Sequence, residues 1–193
     1  MDTARNEGEQ LNIDLKAATI RAADALAEII GCAVNLELDQ IHHLDQSRFK
    51  EFIKDTFGTT GTVVQIRFSG GLLGSANFLL PGDNKNEIIR ILSEQDPNLV
   101  HNTIAQNAVI IEIANIVLNM YAGTILNQMK VKVVYEIPKL SSNSESIELL
   151  AENESERNKK QNFQILTSHL SICGQAIAIY ILVKFYPFDI AKS

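Results

Sequence analysis

The sequence has no tryptophan and only two cysteines and four prolines in 193 residues. Cys32 and Cys173 lie far apart in the chain, and neither has a C-x-x-C partner of the kind that binds a metal. Both are flanked by apolar residues, which is typical of unpaired buried thiols in a reducing compartment. We therefore expect two free cysteines and a cytoplasmic protein.

Positive charge is also scarce. Lys and Arg number 17 against 23 Asp and Glu, so the formal net charge is -6 and the pI is about 5.2. No basic stripe is present, and nucleic acid is not an expected partner. The first ten residues, MDTARNEGEQ, lack the basic start and apolar run of a signal peptide, so none is expected.

The composition is that of one ordinary globular domain. Hydrophobic residues make up 46% of the chain and charged residues 21%, enough apolar material for one substantial core. We expect a single domain over residues 1–193, with a flexible tail at about 1–11. The serine-, asparagine- and glutamate-rich stretch at about 141–160 predicts a solvated polar loop.

The apolar run from Val109 to Leu126 is long enough to cross a membrane, but it contains Glu112 and two asparagines. An acidic residue near the centre of a bilayer costs about 2.5–3.5 kcal/mol on insertion scales. A buried helix fits this segment better than a membrane span, and membrane insertion is not expected.

Helical and alternating patterns are mixed along the chain without regular alternation, which predicts an α+β fold with an antiparallel sheet. Helices are predicted at 13–30, 46–58, 84–95 and 101–129, and strands at 33–38, 62–68, 74–80, 130–137, 162–174 and 175–188. The glycine pair Gly70-Gly71 predicts a hairpin turn and not a phosphate loop, because neither a lysine nor a helix follows it. A helix leads into a strand near the start of each half, which indicates two pseudo-symmetric halves.

The long helix carries its polar groups along one line. On a helical wheel, four residues fall within a sector of about 60°, and alanine or glycine residues border it. The four are Ala108, Glu112, Asn115 and Asn119, and the bordering residues are Ala105, Ala122 and Gly123. Such a strip is either the solvent side of a packed helix or, since its neighbours are small, a face on which another surface can dock.

The spacing of these residues matches a known signature. Glu112, Asn115 and Pro138 reproduce E-x-x-N-x(22)-P, and the segment QIRFSGGLLGSANFLL reproduces a glycine-containing hairpin ahead of the motif helix. In these features, and in its closing strand pair, the chain resembles the CheC/CheX/FliY family of bacterial chemotaxis phosphatases, which dephosphorylate the response regulator CheY.

The resemblance implies a site and a partner. Glu112 would engage a lysine of the phosphorylated receiver domain, Asn115 would orient the water that attacks the aspartyl phosphate, and Pro138 would shape the site as a structural residue. The Mg²⁺ would belong to the receiver, so the chain would need no metal or cofactor of its own. Ala108, Asn119 and Ala122 would lie against the partner.

Two departures from the family pattern matter. The position four residues before the glutamate, often Asp or Ser in the family, is Ala108. The first helix, where CheC has a second site, carries Ile13 and Lys16 at the equivalent positions, and Asp39 stands in place of the proline. A shifted alignment with Asp24 and Glu28 puts Gly31 in place of the asparagine. The chain resembles CheX in lacking this site, which implies a homodimer.

A non-catalytic role stays open beside the phosphatase. The related flagellar switch domain has this fold without the catalytic pair, so the chain could be an adaptor that binds a receiver domain or a flagellar or signalling assembly. The adjacent His42 and His43 point in divergent directions on either a helix or a strand, and they predict no shared metal site.

Overall fold

The structure is a computed structural model that describes residues 2–57, 60–143, 150 and 162–186. Its helices are α1 (Asp2–Ile30), α2 (Gln46–Phe52), α3 (Asn84–Ser93) and α4 (Thr103–Gln128), with a π-helical turn at Ile53–Phe57 and a 3₁₀ turn at Pro97–Leu99. The strands are β1 (Val34–Leu44), β2 (Gly61–Gly70), β3 (Leu73–Pro81), β4 (Val133–Tyr135), β5 (Lys139–Ser142), β6 (Asn162–Ile172) and β7 (Gln175–Tyr186).

All strands belong to one antiparallel sheet, which confirms the predicted α+β class. The strand order is β1-β6-β7-β3-β2-β4, and β5 also pairs with β2. The second strands of the two hairpins, β3 and β7, form the central pair. Outward from it, each side has the first strand of a hairpin, β2 or β6, and then a strand that follows a long helix: β4 follows α4, and β1 follows α1. This order has the pseudo-symmetry that the repeated helix–strand pattern predicted.

Helices α1 and α4 lie side by side on one face of the sheet, and α3 packs on the same face. Helices α1 and α4 run antiparallel, because the end of α1 adjoins the first half of α4 and the middle of α1 adjoins the last turns of α4. The side chains at intervals of three and four that α1 buries are Leu15, Ala18, Ala22 and Leu26. The main hydrophobic core fills the space between these helices and the sheet.

Helix α1 differs from the prediction in its buried face and in its start. In the sequence, the apolar residues of this helix recur at Ile13, Ala17, Ile20, Ala23, Leu26 (or Ala27) and Ile30, which predicts that this face is buried. Ile13 and Ile20 are instead 61% and 63% exposed, and the smaller Ala18 and Ala22 face the core. The helix also begins at Asp2, so residues 2–11 continue α1 where the sequence predicted a tail. Gly31 ends the helix in the left-handed conformation, at φ +80°, and its N–H bonds to the carbonyl of Ala27.

The opposite face of the sheet is covered by α2 and the π-helical turn. Phe49 of α2 stacks on Phe163 of β6, with ring centroids 4.2 Å apart, and Phe57 packs into the same smaller cluster. Strand β3 is therefore buried on both faces, which explains its nearly continuous apolar sequence.

The prediction of two free cysteines was wrong. Cys32, just after α1, forms a disulfide with Cys173 in the turn between β6 and β7, and their Cα atoms are 5.6 Å apart. The pairing of β1 with β6 brings them together: Val34 is opposite Ile172, and the N–H of Cys173 donates to the carbonyl of Ala33. With the thiols paired, they no longer support a reducing compartment.

The segment that follows α4 differs in detail from the prediction. The chain leaves α4, forms the short strand β4, and returns to the same edge of β2 as β5, which the sequence analysis had assigned in part to the polar loop. Pro138 lies between β4 and β5, where it donates no N–H to the ladder. Most of the predicted loop at 141–160 lies outside the described residues.

Candidate functional site

The site is built on α4, whose start is firmly held. The side chain of Asn102 accepts a hydrogen bond from the N–H of Ala105 at 3.0 Å and so caps the first turn. One turn on, Gln106 donates to the carbonyl of Leu99 at 2.7 Å and ties the helix to the preceding 3₁₀ turn. The residues that follow are therefore presented on a fixed element.

The predicted strip is only partly at the surface. Ala108, Glu112 and Asn119 are exposed and Asn115 is half-buried, so the two motif side chains reach the same surface. Ala122, predicted as a partner contact, is fully buried, and this assignment was wrong because α4 sinks into the core toward its end. Of the flanking positions, Val117 and Leu118 are buried and Ile111 is half-buried.

The polar side chains of the strip have different surroundings. The amide of Asn119 donates a hydrogen bond to Oδ1 of Asn115 at 3.0 Å, and this bond orients the Asn115 carboxamide. Within the part of the chain that the structure describes, the carboxylate of Glu112 has no hydrogen bond or ion pair. Glu112 therefore offers both of its oxygens to an incoming cation or donor.

Glu112 lines a groove of about 580 Å³ between α1, α4 and the segment that runs from the last turn of α3 to the start of α4. Its apolar walls include residues from each of these elements: Leu26 and Ile29, Leu92 and Leu99, Val109 and Ile116. In the part of the chain that the structure describes, its polar lining consists of Gln95, Asp96 and Glu112 and includes no basic residue. The site is thus an acidic group beside an apolar depression.

Sequence analysis did not identify this groove. Ile29 and Leu99 look like ordinary core residues in the sequence, yet Ile29 is 59% exposed. Ile29 follows Leu26 at an interval of three, in phase with the buried stripe of α1, so the sequence carried no signal that its side chain would be exposed.

The other candidate residues are dispersed. His169 lies 2.6 Å from Asp39 across the β1–β6 pair, a partner that the sequence did not reveal. His42 and His43 follow each other along β1. Across the described ranges, no three His, Cys, Asp or Glu side chains are grouped so that they could hold a metal ion.

The inner side of α4 holds one buried titratable group. The hydroxyl of Tyr121 lies 3.3 Å from that of Ser168 on β6, and burial raises the pKa of Tyr121 to about 12. Tyr121 belongs to the core, so it links α4 to the sheet and does not reach the exposed strip.

Helix α4 is long and apolar enough to cross a membrane by length and composition, and half of its most hydrophobic window is buried within the fold. A core helix of a soluble protein passes the same test. Its contacts with β2, β3 and β7 are those of such a core helix.

No protein-family model matches the sequence, and no curated protein sequence matches it either. Solved structures do resemble the fold. FliY from Thermotoga maritima has a TM-score of 0.59 and 14% identity, covering 86% of this chain and 83% of its own. The FliM middle domain from Vibrio alginolyticus has a TM-score of 0.61 and 14% identity, covering 91% and 92%.

The chemotaxis protein CheX from Desulfovibrio desulfuricans has a TM-score of 0.54 and 9% identity, covering 91% of this chain and 99% of its own. The chain thus has the fold shared by CheX, FliY and FliM middle domains, as its resemblance to the CheC/CheX/FliY family implied.

Proposed function

We propose that this protein is a phosphatase that hydrolyses the aspartyl phosphate of a CheY-like receiver domain, in chemotaxis or related two-component signalling. The observation that carries the proposal is the joint presentation of Glu112 and Asn115 on one exposed face of α4. A carboxylate and a carboxamide at this spacing form no nucleophile–base pair, but together they can hold a partner and position a water.

In this mechanism the receiver supplies the phosphoryl group and the Mg²⁺ that it holds. Glu112 binds a lysine of the receiver, which fixes the two proteins in register. Asn115 reaches into the receiver site and orients a water in line with the phosphorus–oxygen bond to the aspartate. The water oxygen bonds to phosphorus as that bond breaks, and inorganic phosphate and the free aspartate result. The chain forms no covalent intermediate and acts through positioning.

The oriented amide is the feature of this site that matters most for rate. Oδ1 of Asn115 accepts one hydrogen bond from Asn119, which leaves its second lone pair for a hydrogen of the water. A carboxamide held in one orientation loses less entropy when the water binds. The protein would work in the cytoplasm, where receiver domains are phosphorylated, and we expect it to be a homodimer in light scattering.

The direct test is to incubate the protein with several phosphorylated receiver domains and follow phosphate loss over time. Asn115→Ala keeps the helix, because alanine is the best helix former. It should retain receiver binding and lose dephosphorylation by roughly two orders of magnitude or more, the scale of losing one positioned polar group. Unchanged activity in this variant would exclude the catalytic role.

Glu112→Ala should act differently from Asn115→Ala. It removes the contact with the lysine, so binding itself should weaken, and the difference from wild type should shrink as salt is added. The adaptor is the second candidate, and the fold similarity to the FliM middle domain favours it. It is the correct function if the wild-type protein binds a phosphorylated receiver without shortening the lifetime of its phosphate.

A further inference from the structure

The groove beside Glu112 combines a chemically simple lining with an open mouth. Its walls are aliphatic, and among the described residues its polar lining side chains are Gln95, Asp96 and Glu112, without a lysine, arginine or histidine. Asp96 already accepts hydrogen bonds from the backbone and the side chain of Asn98 at 3.0 and 2.9 Å. Among the described residues, Glu112 is therefore the acidic group of the groove that has no protein partner.

The walls of the groove are accessible from outside. Ile29 on α1 is 59% exposed, and Val109 and Ile116 on α4 are half-buried. Ala108, one helical turn before Glu112, also lines the groove and is exposed, and its side chain is only a methyl group. An apolar side chain that enters here removes aliphatic surface from water on both sides of the contact.

We propose that the groove receives apolar side chains of the receiver domain that lie beside the lysine bound by Glu112. This deepens the proposed function and rests on it for the identity of the partner. The occupant follows from charge complementarity: an aliphatic groove lined, within the described part of the chain, by an unpaired carboxylate and no basic side chain fits a surface on which apolar side chains flank a basic one. Glu112 binds the cation of this surface, and the groove binds the apolar side chains beside that cation.

The volume of the groove supports this assignment. At about 580 Å³ it exceeds what one leucine or phenylalanine side chain fills, and it lies within the range of pockets that take larger ligands. Two neighbouring apolar side chains of the receiver can enter the groove together. Receivers with small or acidic residues at those positions would be poor partners, so the groove would select among receivers that share the lysine.

The experiment uses the full chain and two probes. The first is a short helical peptide with leucine on one face and lysine on the other, and its counterpart has glutamate in place of lysine. The variants are Ile29→Glu, which makes one wall of the groove polar, and Ala108→Phe, which puts a bulky side chain on the lining without adding charge. Ile20→Glu is the matched control, because Ile20 is 63% exposed on the same helix and does not line the groove.

The lysine peptide should bind to wild type, and the glutamate peptide should not. Ile29→Glu and Ala108→Phe should weaken binding about tenfold or more, the scale of losing an interface anchor, while Ile20→Glu should change it by less than about twofold. Ile29→Glu and Ile20→Glu add the same negative charge, so charge alone would strengthen the binding of both. Thermal melting checks that each variant is folded, which is expected because all three positions are exposed.

The second probe is any phosphorylated receiver that the protein dephosphorylates. Ile29→Glu and Ala108→Phe should raise KM and leave kcat near its wild-type value, since the groove does not touch the phosphate. If such a receiver is found and both variants keep the wild-type KM, the groove proposal is wrong and the phosphatase stands. If wild type binds a phosphorylated receiver without shortening the lifetime of its phosphate, and both variants weaken that binding, the groove stands and the phosphatase is wrong. No binding of the lysine peptide by wild type would also overturn the groove.

Discussion

Asn119 donates a hydrogen bond from its side-chain amide to Oδ1 of Asn115, one helical turn away, at 3.0 Å. Both residues lie on α4, so the bond forms within the chain and orients the carboxamide of Asn115 without a partner. The sequence suggested that Asn119 contacts the partner. Under the proposed function, the bond makes Asn119 a positioning residue that acts through Asn115.

Asn119→Ala should therefore lower kcat for dephosphorylation by roughly two- to tenfold, the scale of one neutral hydrogen bond, with KM unchanged. The matched control is Asn127→Ala, which removes an exposed amide from the same helix two turns farther on and should have no effect. Steady-state kinetics of both variants decide the question. A raised KM with normal kcat would return Asn119 to the role of a partner contact.

The disulfide between Cys32 and Cys173 closes a sequence separation of 141 residues. Cys32→Ser should lower the free energy of unfolding by about 2–4 kcal/mol, mainly because the unfolded chain regains freedom. Urea denaturation measures this loss, and wild type treated with a reductant should match the variant. Thiol titration provides the control: the untreated protein should have no reactive thiol, even when unfolded. An unchanged denaturation curve after full reduction would contradict this prediction.

Tyr121 should give the protein a pH-dependent stability in alkali. Burial raises the pKa of Tyr121 to about 12, above its ordinary value of 10.0, so the folded state keeps a proton that the unfolded state releases. The associated stability is complete below about pH 10 and is lost as the pH rises toward about 12. The wild-type free energy of unfolding should therefore fall more steeply than that of Tyr121→Phe across this interval in urea denaturation. Parallel slopes for the two proteins would show that Tyr121 ionises equally in both states.

The sequence predicted the fold class well because its strongest patterns are long and periodic. The hairpin around Gly70 and Gly71, the apolar helix α4 and the two closing strands are all present in the sheet or on it. The polar strip on α4 also pointed to Glu112 and Asn115, since burial of every other direction leaves one side for polar groups. These features follow from local spacing alone.

The errors have a common physical origin, which is contact between distant segments. Whether Ile20 or Ala22 faces the core depends on how closely α4 and the sheet approach α1, and Ala22, the smaller of the two, is the buried residue. The cysteines pair only because β1 lies beside β6. The groove needs three elements at once, so no single stretch of sequence could reveal it.

The position of β7 has a consequence for how the chain folds. Strand β7 pairs with β3 at the centre of the sheet, while β6 joins it to the distant β1. Pairings between segments so far apart in sequence close slowly, because a long loop must be ordered before its contacts form. During synthesis the β2–β3 hairpin and β1 must wait for β6 and β7, which leave the ribosome much later. Until then the edge of β3 and the apolar sides of α1 and α4 stay uncovered, and this interval is when the nascent protein would most need a chaperone.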